Sequence, residues 1–318
     1  MAQIARIVWL LLLVVPAFGQ GRAELLAKME AAMGPMPRLD RARPLGIAVL
    51  ATEDAGTYTR TKITYEPEAG RKVFAWLLVP KGGGRRPAAL ALHQTTRIGK
   101  DEPVGLGGKA NLQYARELAE RGWVVLAPDY PSFGDDGTDF ARDVYGKGYA
   151  SGTMYGIVNH VRGVDLLAGH PRVDKRRIVA IGHSLGGHNA LFVGAFDERI
   201  RAVVTSCGFT AFAKYYGGNL KGWTSTRYMP RINDLYGNSS AKVPFDFTDV
   251  LGAIGGRAVF VNAPMRDANF EVSGVDDVTR AVAGRFGKGR LVVEHPEAEH
   301  DFPEAVRLRA YDFLKKTK

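Results

Sequence analysis

From Pro87 onward the chain alternates short apolar runs with longer stretches of helical period, and that rhythm constrains the fold more than any other feature. Residues 88–92, 123–127, 177–182, 201–206, 258–262 and 291–294 read as strands, and 109–121, 149–168, 184–195, 275–286 and 304–315 as helices. Strands this apolar need cover on both faces, and strands separated by helices pair in parallel. Ahead of them, runs 59–65 and 72–79 flank Glu66-Pro67-Glu68-Ala69-Gly70, a turn composition that predicts an antiparallel hairpin at the sheet edge. Residues 21–45 read as a helical lead-in followed by a proline-containing connector. The expected fold is α/β: a mostly parallel sheet of about eight strands with helices on both faces, forming one domain over 20–318. Residues 208–256, between the sixth and seventh strands, break the rhythm. They carry Tyr215, Tyr216, Trp223, Tyr228, Tyr236 and Phe245 without a clean period. Such a stretch is too long for a plain connector and predicts a helix or two forming a lid or pocket wall.

The sharpest local signal is Gly182-His183-Ser184-Leu185-Gly186-Gly187, which follows a predicted strand and opens a predicted helix. A serine on so tight a turn needs small neighbours two residues away on either side, so that adjoining backbone can approach. The start of the helix then favours negative charge beside the hydroxyl. This context points to Ser184 as a nucleophile.

A serine hydroxyl is a poor nucleophile without a base. Where a parallel sheet carries a serine on such a turn, the acid and the histidine follow it in that order. His188 lies four residues on, in the same helix, and cannot readily swing round. His295 ends a strand, whereas His300 lies in the loop Pro296-Glu297-Ala298-Glu299-His300-Asp301-Phe302-Pro303, free to reach across the sheet edge. His300 is therefore the preferred base and His295 the rival. The acid should follow run 258–262, which favours Asp267. Its rivals Asp276 and Asp277 sit where a helix is expected to start and read as first-turn acids.

A nucleophilic serine also needs two backbone N–H groups for the oxyanion. Leu185 supplies one. The loop His93-Gln94-Thr95-Thr96 supplies the other, with Thr95 preferred, Gln94 second and His93 bracing the loop. Loops at strand C-termini contact substrate in open α/β sheets. Tyr130, His183 and Trp223 are accordingly the candidate pocket residues. Cys207, the one cysteine, reads as a buried inert thiol. No Cys/His/Asp cluster shows metal-ligand spacing and no glycine-rich phosphate loop is present, so neither metal nor cofactor is expected.

Hydrophobic residues make up 46% and charged residues 24% of the 318, a balance that suits one sizeable core without disulfides. Arg6, the nine-residue apolar run 7–15, Pro16 and Ala17-Phe18-Gly19 together read as a cleavable signal peptide over 1–19. Nine apolar residues are too few to span a bilayer. The expected location is therefore secreted or periplasmic, with no stable membrane span. The net charge of +10, or +9 once Arg6 leaves with the leader, is spread along the chain, and no nucleic-acid motif accompanies it.

With these residues placed, the chain resembles α/β-hydrolases of the dienelactone hydrolase and acetyl xylan esterase type, and also the catalytic domain of prolyl oligopeptidase-like enzymes. The resemblance rests on Leu92-His93-Gln94-Thr95, the run from Gly122-Trp123 to Pro128-Asp129, Val173-Asp174 leading to the Ser184 turn, and His300-Asp301-Phe302-Pro303. It implies a Ser184, Asp267, His300 triad and cofactor-free hydrolysis of an ester. Two departures stand out: a serine replaces the cysteine of true dienelactone hydrolases, and Gln94 takes the place of a glycine common in the oxyanion loop. No β-propeller precedes the domain. The first expectation is a carboxylic-ester hydrolase acting on a small-molecule or oligosaccharide ester, with acyl or methyl esters of carbohydrate as the substrate class. A peptidase or amidase with the same triad, and a non-catalytic binding module, are the alternatives.

Overall fold

In the computed structural model, which describes residues 21–317, nine strands form one twisted sheet. They are β1 (Ala48–Asp54), β2 (Tyr58–Tyr65), β3 (Val73–Pro80), β4 (Arg86–Leu92), β5 (Val124–Pro128), β6 (Val173–His183), β7 (Ile200–Ser206), β8 (Ala258–Asn262) and β9 (Leu291–Glu294). Their order is β1-β2-β3-β5-β4-β6-β7-β8-β9. The first three run antiparallel to their neighbours, and β5, β4, β6, β7, β8 and β9 run parallel. The β2–β3 hairpin stands where the turn composition placed it. The expected eight strands become nine because β1 adds an outer edge. All seven of its residues are exposed, so it carries none of the inside–outside alternation that reveals a strand in sequence.

The helices are α1 (Arg22–Met33), α2 (Tyr114–Glu120), α3 (Gly152–Gly169), α4 (Leu185–Phe196), α5 (Arg231–Asp234), α6 (Phe247–Ile254), α7 (Val272–Val282) and α8 (Glu304–Lys316). Alternate strand residues feed two separate cores. Ala88, Leu90, Leu92, Ile178 and Ala180 face a core completed by α1, α3, α4, α6 and α7. Ala89, Ala91, Val179 and Ile181 face the other, against Leu118 of α2 and Val306, Ala310 and Leu314 of α8. Burial on both faces is why these strands are uniformly apolar.

Two expected helices differ in extent. Residues 109–121 split into a 3-10 turn at Ala110–Leu112 and the short α2. α7 begins at Val272, so Asp276 and Asp277 lie beyond its first turn. They pair instead with His295 and Lys214. Because the six parallel strands share a direction, the loops that leave β4, β6, β7, β8 and β9 meet at one sheet edge. The predicted leader, 1–19, lies outside the described residues. Among those residues no helix is long and apolar enough to cross a membrane.

Candidate active site

Ser184 sits between β6 and α4 with φ 54 and ψ −118, backbone that a residue with a side chain rarely adopts. Neighbouring strands hold it there: its N–H donates to the Ser206 carbonyl at the end of β7, 2.8 Å away. The flanking glycines are required by close approach. A Cβ on Gly182 would strike the Gly186 backbone, and one on Gly186 would strike the carbonyls of Leu92 and His93. The elbow is thus wedged against the end of β4, where the 93–96 loop begins.

Asp267 and His300 arrive from loops that follow β8 and β9. His300 Nδ1 lies 2.9 Å from Asp267 Oδ1 and 3.0 Å from Oδ2. Oδ1 also accepts the backbone N–H groups of Asn269 (2.8 Å) and Phe270 (3.1 Å). Burial alone would raise the Asp267 pKa. The hydrogen bond and charge of His300, with the two backbone donors, outweigh it and hold the carboxyl below its ordinary value. His300 is next to the elbow: its ring centroid is 4.8 Å from that of His183, the residue before Ser184. Among the described residues no hydrogen bond joins Ser184 to His300.

A cavity of about 190 Å³ opens on Ser184. Thr95, Leu185 and His188 line it, with Tyr215, Gly222, Trp223 and Tyr228 from the 208–256 segment and Asn269 and Phe270 beside the acid. Within that segment α5, α6 and two 3-10 turns hold the aromatics in place. Trp223 packs on His188 at 4.8 Å, on Tyr215 at 5.6 Å and on Phe212 and Phe247 at 5.7 Å. Leu185 N–H is the first of the unpaired donors at the α4 N-terminus. Gln94 faces away from the cavity, its Nε2 donating to Glu102 at 3.1 Å. Buried His93 braces the loop. Its Nδ1 lies 2.6 Å from the Gln94 carbonyl, and its Nε2 accepts the Tyr130 N–H at 2.8 Å. Burial lowers the His93 pKa to about 4, so the ring is neutral.

Of the three expected pocket residues, Trp223 lines the cavity and two do not. Tyr130 is buried below it, its hydroxyl donating to the Arg227 carbonyl at 2.9 Å, because the chain turns its side chain inward at the end of β5. His183 points into the sheet edge, fully buried, with Nδ1 2.9 Å from Ser206 Oγ. His295, the rival base, is held by the Ala263 carbonyl (2.8 Å) and Asp276 (3.0 Å).

Sequence reading missed a row of polar side chains under the site. His183, Ser206 and Asn262 end β6, β7 and β8 and are register partners. Asn262 Nδ2 donates to Ser206 Oγ (2.8 Å) and to the Asp301 carbonyl in the His300 loop (2.9 Å). A polar residue closing each of three apolar strands was the available signal. The fold also brings Cys207, remote in sequence, to Asp267 and His300, with potential ligand atoms within 4.8 Å of one another. Burial, then the Asp267 charge, pushes this thiol well above its usual pKa, so no thiolate is present to act as nucleophile.

The profile of the "Alpha/beta hydrolase family" matches residues 105–312. YtaP of Bacillus subtilis (strain 168), a protein designated a hydrolase, is 29% identical over 308 residues, spanning 93% of this chain and 99% of its own. Two solved structures share the fold at low identity. A glucuronoyl esterase from Solibacter usitatus superposes with a TM-score of 0.67 at 16% identity, covering 94% of this chain and 92% of its own. Acetyl xylan esterase 1 from Thermoanaerobacterium sp. JW/SL YS485 gives 0.64 at 15%, covering 92% of each chain.

Proposed function

The chain belongs to the alpha/beta hydrolase family, and from that premise we propose that it is a serine carboxylic-ester hydrolase acting on esters of carbohydrates. The observation that carries this reading is the pairing of Asp267 with His300 beside a strained Ser184 that opens on a cavity.

Ser184 Oγ attacks the ester carbonyl while His300 Nε2 takes its proton, the imidazole approaching the hydroxyl in the substrate complex. Contacts of this kind are commonly long before substrate binds. Asp267 holds the Nδ1–H tautomer and stabilises the imidazolium. The carbonyl oxygen becomes an oxyanion between the N–H groups of Leu185 and Thr95, at the positive end of α4. As the tetrahedral intermediate collapses, the C–O bond breaks and His300 returns the proton to the leaving alcohol. Water, deprotonated by the same imidazole, then releases the acid and restores Ser184. Every step uses groups of this chain and water, so the proposal includes no metal and no cofactor.

The carbohydrate assignment is supported by the names of the two esterases that share the fold and by a cavity wall of aromatic rings and hydroxyls. Residues 20–318 act as one domain in this reading, with 208–256 as the pocket wall. Residues 1–19 direct export to the periplasm or the medium, which sequencing the N-terminus of the exported protein tests. A fluorophosphonate probe, with the adduct located by peptide mass, tests the nucleophile; acetyl, longer acyl and methyl-uronate esters and a peptide anilide test the substrate. An adduct on Ser184 with ester turnover, absent in Ser184→Ala, is the expected result. Turnover of the anilide alone would replace the esterase reading by an amidase one. A chain that takes no adduct would be a binding module.

A further inference from the structure

The reaction above gives no task to His188, a polar side chain of the cavity. His188 lies one helical turn beyond Ser184 on α4, and a turn advances about 5.4 Å. Residues four apart on a helix share a face, so its ring and the serine border the same space. The side chain is only 7% exposed, yet it lines the cavity. Its Nδ1 is buried without a partner at hydrogen-bonding geometry, and the one backbone group that acts on the ring is that of Gly208. A buried ring nitrogen left unpaired costs free energy unless a ligand or water completes it. Burial lowers its pKa to about 3, so the ring is neutral and can either donate or accept. The other lining residues are Thr95, Asn269, aromatics and small residues, and none carries a formal charge.

Resting on the esterase reading, we propose that His188 is the specificity-determining residue of this cavity, hydrogen-bonding a free hydroxyl vicinal to the ester on a neutral ring such as a monoacylated sugar. One helical turn matches the reach from a reacting carbonyl carbon to a hydrogen-bond partner of the neighbouring hydroxyl. Trp223, whose ring is 4.8 Å from that of His188, supplies an apolar face for the ring carbons, and the Tyr215 and Tyr228 phenols border the same space. The hydroxyl is recognised in ground and transition states alike, so its loss acts on KM more than on kcat.

The test compares a monoacetylated methyl xyloside with its analogue in which the neighbouring hydroxyl is replaced by hydrogen. The wild type should favour the hydroxylated ester by about tenfold or more in kcat/KM, as expected for leaving a buried polar group unpaired. His188→Phe should bring the ratio close to one while fluorophosphonate labelling of Ser184 persists, and His188→Gln should restore part of it. An unchanged ratio in a His188→Phe protein that still labels would overturn the assignment and leave the esterase reading standing. Calorimetric binding of the unacetylated xyloside to Ser184→Ala, with and without His188→Phe, reads the same contact without turnover. If the wild type takes no label, the esterase reading falls alone and this binding pair decides for His188. Equal binding to the two proteins would refute the assignment.

Discussion

Replacing Asp267 by Asn tests the proposed triad at the point where the geometry makes the strongest demand. Asp267 Oδ1 accepts the N–H groups of Asn269 and Phe270 at 2.8 and 3.1 Å, and an Asn amide keeps those bonds only by placing its oxygen there. The amide nitrogen then takes the Oδ2 position, 3.0 Å from His300 Nδ1, with its hydrogens toward the ring. Oδ1 stays 2.9 Å from Nδ1 but is neutral and already accepts two backbone N–H groups, so the amide hydrogens at the Oδ2 position favour an imidazole that turns its Nδ1 lone pair to them and carries its proton on Nε2. That nitrogen can no longer accept a proton from Ser184. The wrong tautomer costs about 10⁴ in kcat, or ~5.5 kcal/mol of barrier. At neutral pH the variant should unfold at a lower temperature than the wild type: the backbone bonds survive, but the stabilisation of the ionised carboxylate by its donors does not pass to a neutral amide. The sign of the pH effect follows from the lowered pKa of Asp267. Its contribution to stability is present above the ordinary carboxylate pKa of about 4 and is lost as pH falls through the lowered value. The unfolding temperatures of wild type and Asp267→Asn should therefore converge as pH drops below about 4. Ester turnover with thermal unfolding from neutral pH to about 3 measures both. A folded variant within tenfold of wild-type kcat would refute Asp267 as the partner of the base.

Three further outcomes follow from the same geometry. Ser184→Gly should abolish ester turnover and yet raise stability. Relief of strain at φ 54 is worth about 1–3 kcal/mol and outweighs the ~0.5–1 kcal/mol entropic cost of glycine; calorimetry should show a rise of ~2–4 °C. Gly186→Ala should lose both stability, by about 1–3 kcal/mol, and turnover, because the new Cβ pushes on the Leu92 and His93 carbonyls and displaces the 93–96 loop proposed to hold the oxyanion. Arg307→Ala should destabilise by about 3–5 kcal/mol in denaturant titration. It takes both guanidinium bonds from Glu117, leaving the Tyr311 hydroxyl as its donor, and removes the group that holds the Phe302 carbonyl (2.8 Å) near His300; the double change Arg307→Leu with Glu117→Leu should recover most of the loss.

The parts of this molecule that could be read from sequence are those whose constraint is local or ordered along the chain. The Ser184 turn announces itself because two glycines must stand where backbone touches backbone. Asp267 and His300 were reachable because parallel strands deliver their loops to one edge in chain order. Tyr130 and His183 were placed in the pocket for the same reason, and there the logic fails. Arrival at the correct edge does not say whether a side chain turns up to the cavity or down into the sheet. That direction is set by partners distant in sequence: the Arg227 carbonyl for Tyr130 and Ser206 for His183. The edge strand β1 was invisible because solvent on both faces leaves no apolar alternation to read. Within 208–256 Tyr215, Trp223 and Tyr228 line the cavity whereas Tyr216, Tyr236 and Phe245 do not, a division the sequence could not show. Trp223 packs on His188, Phe212 and Phe247, and no short-range period encodes contacts between separate elements.

The polar row beneath the site shows how the two kinds of information combine. Each strand end could afford one polar residue only because its neighbour in register supplied a partner, so His183, Ser206 and Asn262 form a chain that no single strand could satisfy alone. That chain ends on the Asp301 carbonyl, one residue past His300. It thereby ties the elbow that carries Ser184 to the loop that carries His300, through the sheet rather than through the cavity. The register of β6, β7 and β8 thus helps to set the distance between the two loops. The residues of the 208–256 segment that line the cavity lie outside this tie, so under the proposed function they could vary to change the substrate without disturbing the chemistry.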